Sequence, residues 1–269
     1  MTIQGKEAMM ADIAPGVRLL TRRAWGANSA YLRKGYLVAR DKRKHITFHH
    51  TVIIDNDATP NVWETLDEVK RKMRQLQVIR PDLGNDVPYS FVIFLMADGT
   101  IIVCEGRGYD RTGAHTHGHN TDGMGLAFEG NLELALNIGP WLPEINGFLW
   151  HLKHEAGMRN LEVRPHPIPS NRVCHGHRDF ASTACPGRNL FNRLPEIKFE
   201  KKEDDTMATA FKVQGKGTTV WLYNGTQLHR YASGTDLARD RRLGLVPDKP
   251  VPTKSLADFQ AIRRKLGID

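Results

Sequence analysis

The alternation of apolar and polar residues predicts an α/β fold over the first two thirds of the chain. The segment Lys44–Ile53 is rich in β-branched residues and predicts a strand. The segment Tyr89–Gly108 predicts a hairpin, because apolar runs lie on both sides of Asp98-Gly99. Met124–Asn131 predicts a further short strand.

Two longer segments carry apolar residues at helical spacing. Between Thr59 and Ile79 an apolar residue recurs every three or four positions, Thr59 is the N-cap candidate, and Pro60 suits the first helical position. Pro140–Met158 has the length and spacing of a second helix. The last predicted elements are a strand at Arg172–His175 and a short helix at Gly187–Leu194. Strands interleaved with helices predict a mixed central β-sheet flanked by helices.

The composition changes after residue 195. Residues 196–207 are dense in charge and poor in core residues, which predicts a linker. In residues 208–269, Asn224-Gly225 lies between two strand-like runs, and Ser255–Ile268 predicts a closing helix with Ser255 as N-cap. These patterns predict a domain over residues 17–195 and a small α+β module over residues 208–269.

Composition narrows the class of protein without identifying it. The 269 residues are 40% hydrophobic and 25% charged, as is ordinary for a globular protein. The sequence contains no run of eighteen apolar residues, so it predicts no membrane-spanning helix. The N-terminus lacks the pattern of a secretory signal, and three cysteines are too few for a disulfide scaffold, so a reducing compartment is expected. The net charge of +8 fits nucleic acid, an anionic membrane or a bacterial wall polymer as partner.

A metal site is one explanation for the crowding of cysteine and histidine between Arg172 and Arg188. A catalytic zinc site needs three protein ligands, and His177 and Cys185 lie eight residues apart on a loop that can fold back. The third ligand could be His49 or His50, but neighbouring strand residues point to opposite faces, so only one of the two can face the site. The spacing alone leaves the choice open between a zinc site and ordinary strand or loop histidines.

Five ordered blocks resemble the type 2 N-acetylmuramoyl-L-alanine amidases, a family that includes bacteriophage endolysins and peptidoglycan recognition proteins. The blocks are RRAWGA, ITFHHTV, VPYSFVIFLMADGTIIVCEGRG, GAHTHGHNTDGMGLAFEGN and GHRDFASTACPG, and they cover roughly residues 17–194. The resemblance implies a central sheet flanked by helices and one zinc ion in an open groove.

The resemblance also implies roles for individual residues. The zinc ligands would be His49 of HHT, His177 of GHRD and Cys185 of CPG. Tyr89 and Thr183 would stabilise the oxyanion, although some phage relatives carry a lysine where Thr183 stands. The candidate substrate contacts are His115, Asn120 and His50. Cys104 and Cys174 match no role, and we expect both to be buried structural thiols.

The implied function is hydrolysis of the amide bond between N-acetylmuramic acid and the L-alanine of the stem peptide, as in a phage endolysin. The alternative is peptidoglycan recognition without cleavage, although such relatives typically lack the cysteine ligand. The charge alone suggests nucleic-acid binding, which no motif supports. The basic module is expected to bind anionic wall polymers. An endolysin made in the host cytoplasm and released through a holin would need no signal peptide.

Overall fold

The fold is organised around a mixed β-sheet with helices on both faces. The computed structural model describes residues 10–52, 62–134, 136–161, 174–200, 209–213, 220–223, 228–230, 253–254 and 259–260. Their contacts divide the chain into two units, Met1–Lys202 and Glu203–Asp269, and each is described by itself.

The first unit contains eight strands and four helices among its described residues. The strands are β1 (Met10–Ala14), β2 (Val17–Leu20), β3 (His45–His50), β4 (Val62–Trp63), β5 (Phe91–Met96), β6 (Ile101–Glu105), β7 (Gly123–Phe128) and β8 (Cys174–Gly176). The helices are α1 (Arg22–Trp25), α2 (Leu66–Val78), α3 (Leu142–His154) and α4 (Arg188–Arg193). The sheet order is β1-β2-β6-β5-β7-β3-β8, and β4 pairs with β5. The predicted mixed sheet with flanking helices is confirmed.

Strand β3 runs parallel to both of its neighbours, β7 and β8. All six of its residues are buried, which is the environment expected of a strand with parallel partners and covered faces. The predicted hairpin is also present, because β5 and β6 pair antiparallel around Asp98-Gly99. Gly99 takes a φ of 84° in that turn, a conformation that favours glycine.

Alternate residues of β5 enter the two cores on either side of the sheet. Phe91 and Ile93 pack with the core that α3 covers, whereas Val92 and Phe94 pack with the core that α2 covers. The period-two alternation of a strand therefore builds a three-layer domain.

The predicted start of the first long helix is wrong. Helix α2 begins at Leu66 rather than near Pro60, and Thr65 is its N-cap. Thr65 and Glu68 form a reciprocal capping box, in which the Thr65 hydroxyl accepts from the Glu68 amide and the Glu68 carboxylate accepts from the Thr65 amide. Val62 and Trp63, which the sequence pattern assigned to the helix, instead pair with β5 as β4. Thr59 and Pro60 lie outside the described residues.

The other predicted elements of the first unit are found close to their expected bounds. Helices α3 and α4 lie within the predicted segments, and strand β7 begins one residue earlier than predicted, at Gly123. The first described residue of β8 is Cys174, because Arg172 and Val173 lie outside the described residues. The hairpin of β1 and β2 is an addition that the sequence pattern did not predict. Ile197, in the charged segment, is buried in the core of this unit.

The second unit has a four-stranded sheet of order β11-β10-β9-β12. Its strands are β9 (Thr209–Val213), β10 (Val220–Tyr223), β11 (Leu228–Arg230) and β12 (Thr253–Lys254). Strands β10 and β11 pair antiparallel as expected, while the Asn224-Gly225 turn between them lies outside the described residues. Of the predicted closing helix only Phe259 and Gln260 are described, both helical, and the Phe259 ring packs 4.8 Å from Trp221.

Candidate metal centre

Three side chains that are distant in sequence converge at one end of the central strands. His49 lies near the end of β3, His177 opens the turn that follows β8, and Cys185 precedes α4. Their ligand atoms all lie within 4.8 Å of one another. The Cys185 Sγ is 3.5 Å from His49 Nδ1, and the rings of His49 and His177 have centroids 4.7 Å apart.

The loop between His177 and Cys185 folds back on itself. The Arg178 amide donates to the Cys185 carbonyl at 2.9 Å, which closes the loop next to both candidate ligands. The Arg178 guanidinium also pairs with Glu133 at 3.1 Å and bonds the Ala184 carbonyl. Because one arginine joins the loop to itself and to a neighbouring segment, the positions of His177 and Cys185 are fixed together.

His115 contacts the ring nitrogen of His49 that does not face Cys185, and so orients the His49 ring. The Nε2 of His49 lies 3.2 Å from His115 Nδ1 and 3.4 Å from the Thr116 hydroxyl, so its Nδ1 remains directed at Cys185. When the proton is on Nε2, His49 donates to His115 and presents the Nδ1 lone pair to the centre. A hydrogen bond of this kind sets both the tautomer and the ring orientation of a metal-binding histidine.

The imidazole of His115 fits between two glycines. A Cβ atom on Gly113 or Gly125 would lie only 2.1 Å and 2.4 Å from its ring. His115 is only 7% exposed. The Asn120 Oδ1 accepts from the backbone amides of His115 and Thr116, at 2.8 and 3.0 Å, and so shapes the loop. These two residues support the candidate centre; substrate contact through either stays a prediction.

The protonation states of the three candidate ligands follow from their burial. Burial, followed by the nearby His115 and His177, lowers the pKa of His49 well below its ordinary value, and burial also lowers the pKa of His177. Both imidazoles are therefore neutral and able to bind a cation. Burial raises the pKa of the Cys185 thiol to about 11, against a smaller opposing effect of the His50 backbone and Arg178. A bound cation would favour the thiolate.

Tyr89 and Thr183 each lie beside one of the candidate ligands, Tyr89 next to His49 and Thr183 next to Cys185. The Tyr89 ring is partly buried, with its centroid 5.2 Å from that of His49. Burial, and then the negative charge of a Cys185 thiolate, raises the pKa of Tyr89, so the phenol stays protonated and can donate. Thr183 is exposed, and its hydroxyl oxygen accepts from the Cys185 amide at 3.2 Å.

His50 is directed away from the three candidate ligands. Its Nδ1 accepts from the Leu132 amide at 3.2 Å, and burial lowers its pKa to about 4. The geometry thus gives His50 a backbone-binding role, while the proposed substrate contact stays a prediction. The expected burial of Cys104 and Cys174 is confirmed.

A second group of possible metal ligands was not predicted from the sequence. His45, His119 and Asp122 also place their ligand atoms within 4.8 Å of one another. The signal was available in part, because His45 lies four residues before His49 and so on the same face of β3. His117, in the same loop as His119, is exposed as a solvated loop residue would be.

The fold and the three converging side chains together define an α/β domain with a candidate metal centre. No family model matches the chain. An N-acetylmuramoyl-L-alanine amidase of Mus musculus is 33% identical over 148 residues, which are 54% of this chain and 24% of that protein. Peptidoglycan-recognition protein SC2 of Drosophila melanogaster is 27% identical over 186 residues, which are 68% of this chain and 88% of that protein.

A solved structure shares the fold. Peptidoglycan recognition protein LE, in complex with the monomeric peptidoglycan tracheal cytotoxin, matches with a TM-score of 0.53 and 23% identity over 70% of this chain and 98% of that one. The chain is thus similar in sequence to N-acetylmuramoyl-L-alanine amidases and peptidoglycan-recognition proteins, and it shares the fold of the latter. It spans about a quarter of the length of the mouse amidase that it matches. None of the helices among the described residues has both the length and the apolar character that a membrane crossing requires.

Proposed function

We propose that the chain is a zinc-dependent peptidoglycan hydrolase, of the endolysin type that its sequence resembles. It would cleave the amide bond between N-acetylmuramic acid and the L-alanine of the stem peptide. The observation that carries the proposal is the convergence of His49, His177 and Cys185 in a chain that is similar to these amidases. A protein that only recognised peptidoglycan would have no need of this set of ligand atoms.

The three side chains fit a zinc ion. Two neutral imidazoles and a thiolate are donors that zinc accepts, and three protein ligands leave a fourth position for water or substrate. With Zn–S and Zn–N bonds of ordinary length, a tetrahedral site places sulfur and nitrogen about 3.5 Å apart. The observed separation of Cys185 Sγ and His49 Nδ1 is 3.5 Å. Zinc held here would supply a Lewis acid and an activated water molecule.

The neighbouring side chains can stabilise charge that develops on the substrate. Tyr89 keeps its proton at neutral pH and can donate to the carbonyl oxygen as that oxygen becomes negative. Thr183 uses its oxygen to accept from the Cys185 amide, which leaves the hydroxyl proton free to donate. A well-placed donor of this kind contributes about 3 kcal/mol to the stability of a transition state. His115 holds the orientation of His49 throughout.

The second unit is proposed to hold the enzyme on its substrate. Residues 208–269 contain eleven Lys or Arg and five Asp or Glu, so this segment is basic. Teichoic-type wall polymers are anionic and would attract it, with an affinity that falls as salt is added.

The test is to identify the bond that is cut. Purified peptidoglycan is digested with the full chain and the products are analysed by mass spectrometry, which distinguishes amide cleavage from cleavage of the glycan or the peptide. We expect free stem peptides that begin with L-alanine, their loss with a chelator, and their return when zinc is added.

Two variants make this test specific. Cys185→Ser should abolish cleavage, whereas His117→Ala, an exposed histidine outside the centre, should cleave as the unaltered chain does. Full cleavage by Cys185→Ser would contradict the proposed mechanism. Binding of peptidoglycan without any cleavage by the unaltered chain would instead support the recognition function.

A further inference from the structure

His45 is a buried histidine whose two ring nitrogens are not accounted for by the packing around them. It lies on β3 with no exposed surface. Among the described residues, neither of its ring nitrogens has a hydrogen-bond partner. Buried polar atoms in folded proteins are nearly always paired, and one that is not needs a specific explanation such as an unseen ion. His45 therefore points to a ligand.

Two further donors face the same place. His119 and Asp122 come from the loop that precedes β7, and each offers a ligand atom within 4.8 Å of the other and of His45. The His119 Nδ1 lies 3.6 Å from the Asp122 carboxylate, which is longer than a hydrogen bond, and it has no hydrogen-bond partner in the part of the chain that the structure describes. Burial lowers the pKa of His45 to about 4, so its imidazole is neutral and can act as a ligand at neutral pH.

Gly123, His175 and Phe180 pack around His45, and the ring centroids of His45 and His175 are 5.7 Å apart. Gly123 lies opposite His45 in the β3–β7 pairing, and a Cβ atom there would lie 2.7 Å from His45 Nε2. The Phe180 ring stacks on His45 with centroids 5.5 Å apart and also contacts His119 at 4.6 Å. The side chains of His119 and Asp122 are 24% and 31% exposed, which gives an ion a path from solvent.

We propose that His45, His119 and Asp122 form a second metal site, which binds a divalent transition-metal ion of the zinc type. Two imidazoles and one carboxylate are ligands that zinc accepts, and three protein ligands leave room for water. The site is separate from the first, because four residues of strand place His45 and His49 about 13 Å apart.

A metal at this site would fasten the loop of residues 115–122 to β3. That loop carries His115, which orients His49, and β3 carries His49 itself. Arg43 already holds the same loop, since its guanidinium donates to the carbonyls of Asn120, Thr121 and Gly123. The second metal is thus a positioning element that acts on the first site through the loop.

The inference is tested by counting metal ions, without any measurement of activity. The full chain is loaded with Zn2+, freed of excess, and its zinc content is measured by mass spectrometry. We expect two zinc ions per chain. His119→Ala and Asp122→Asn should each lose one, and His117→Ala, the matched control two residues from His119, should keep two. Circular dichroism checks that each variant is folded.

Cobalt distinguishes the two sites, because only the first contains a thiolate. Cys185→Ser loaded with Co2+ should lose the sulfur-to-metal charge-transfer band and retain one ion. His119→Ala should keep that band and also retain one ion.

Equal zinc content in His119→Ala and His117→Ala would overturn the inference. Loss of an ion in His119→Ala, with no loss in Cys185→Ser, would support the second site and count against the first.

Discussion

The contact between His49 and His115 gives a sharp test of how the candidate centre is held. His115→Ala removes the acceptor that lies 3.2 Å from His49 Nε2. No change is made to His49, His177 or Cys185, so the ligand set stays complete. The expected effect is a weaker hold on the metal, because His49 loses the group that sets its tautomer and ring orientation.

The size of the loss in metal affinity depends on which groups can still hold His49 in the His115→Ala variant. Loss of such a supporting group typically lowers metal affinity 10- to 100-fold, or about 1.4 to 2.7 kcal/mol. The Thr116 hydroxyl, 3.4 Å from the same nitrogen, can accept the proton in place of His115. We therefore expect the lower end, about tenfold. His115→Asn places an amide oxygen near the position of Nδ1 and should retain most of the affinity.

The measurement is a Co2+ titration followed through the charge-transfer band of the Cys185 thiolate, which reports on this centre alone. An affinity for His115→Ala equal to that of the unaltered chain would refute the supporting role. If His115→Asn lost as much as His115→Ala, the cause would be the lost packing between Gly113 and Gly125 and not the hydrogen bond.

Two further predictions concern stability and wall binding. The pKa of His50 is about 4 in the fold and 6.5 in an unfolded chain, so the unfolded state binds more protons between these values. The free energy of unfolding, measured by urea titration, should therefore fall as the pH drops from 6.5 to 4. In His50→Gln this fall should be smaller than in the unaltered chain by on the order of 2 kcal/mol. An identical slope in both proteins would contradict this. Removal of residues 203–269 should leave cleavage of small soluble muropeptides intact but abolish salt-sensitive sedimentation with intact walls; unchanged sedimentation would exclude wall binding by this segment.

Local patterns predicted those elements whose stability is local. The β5–β6 hairpin depends on Asp98-Gly99, where the Asp98 carboxylate accepts from the Thr100 amide at 2.9 Å and Gly99 takes a positive φ. Both features lie within three residues, so the sequence reveals them. The helix of residues 142–154 likewise shows its apolar stripe directly.

The start of α2 could not be predicted in this way. Thr59 and Thr65 both satisfy the rule for an N-cap, and Val62 and Trp63 fit the apolar stripe of a helix. The structure uses Thr65, because Val62 and Trp63 pair with Leu95 and Met96 of β5. That pairing spans more than thirty residues, and no local pattern contains it.

The candidate centre shows the same limit. Spacing suggested that His177 and Cys185 share a loop, yet it could not choose between His49 and His50, and the family resemblance supplied the choice. The second group of possible metal ligands was not predicted, because His45 and His119 are far apart in sequence and are brought together only by the β3–β7 pairing. Its carboxylate, Asp122, looks like any other charged loop residue.

The register of β3 decides which of its histidines can bind a metal. His45, Thr47 and His49 share one face, where the first and last each belong to a group of possible ligands. His50 faces the other way and accepts from the Leu132 amide. A slip of one residue would turn every side chain over, withdrawing His45 and His49 from both groups at once. Pairing on both sides, to β7 from His45 to His50 and to β8 from Ile46 to Phe48, opposes that slip. The packing of this one strand therefore stabilises the domain and also sets the positions of both groups of ligands.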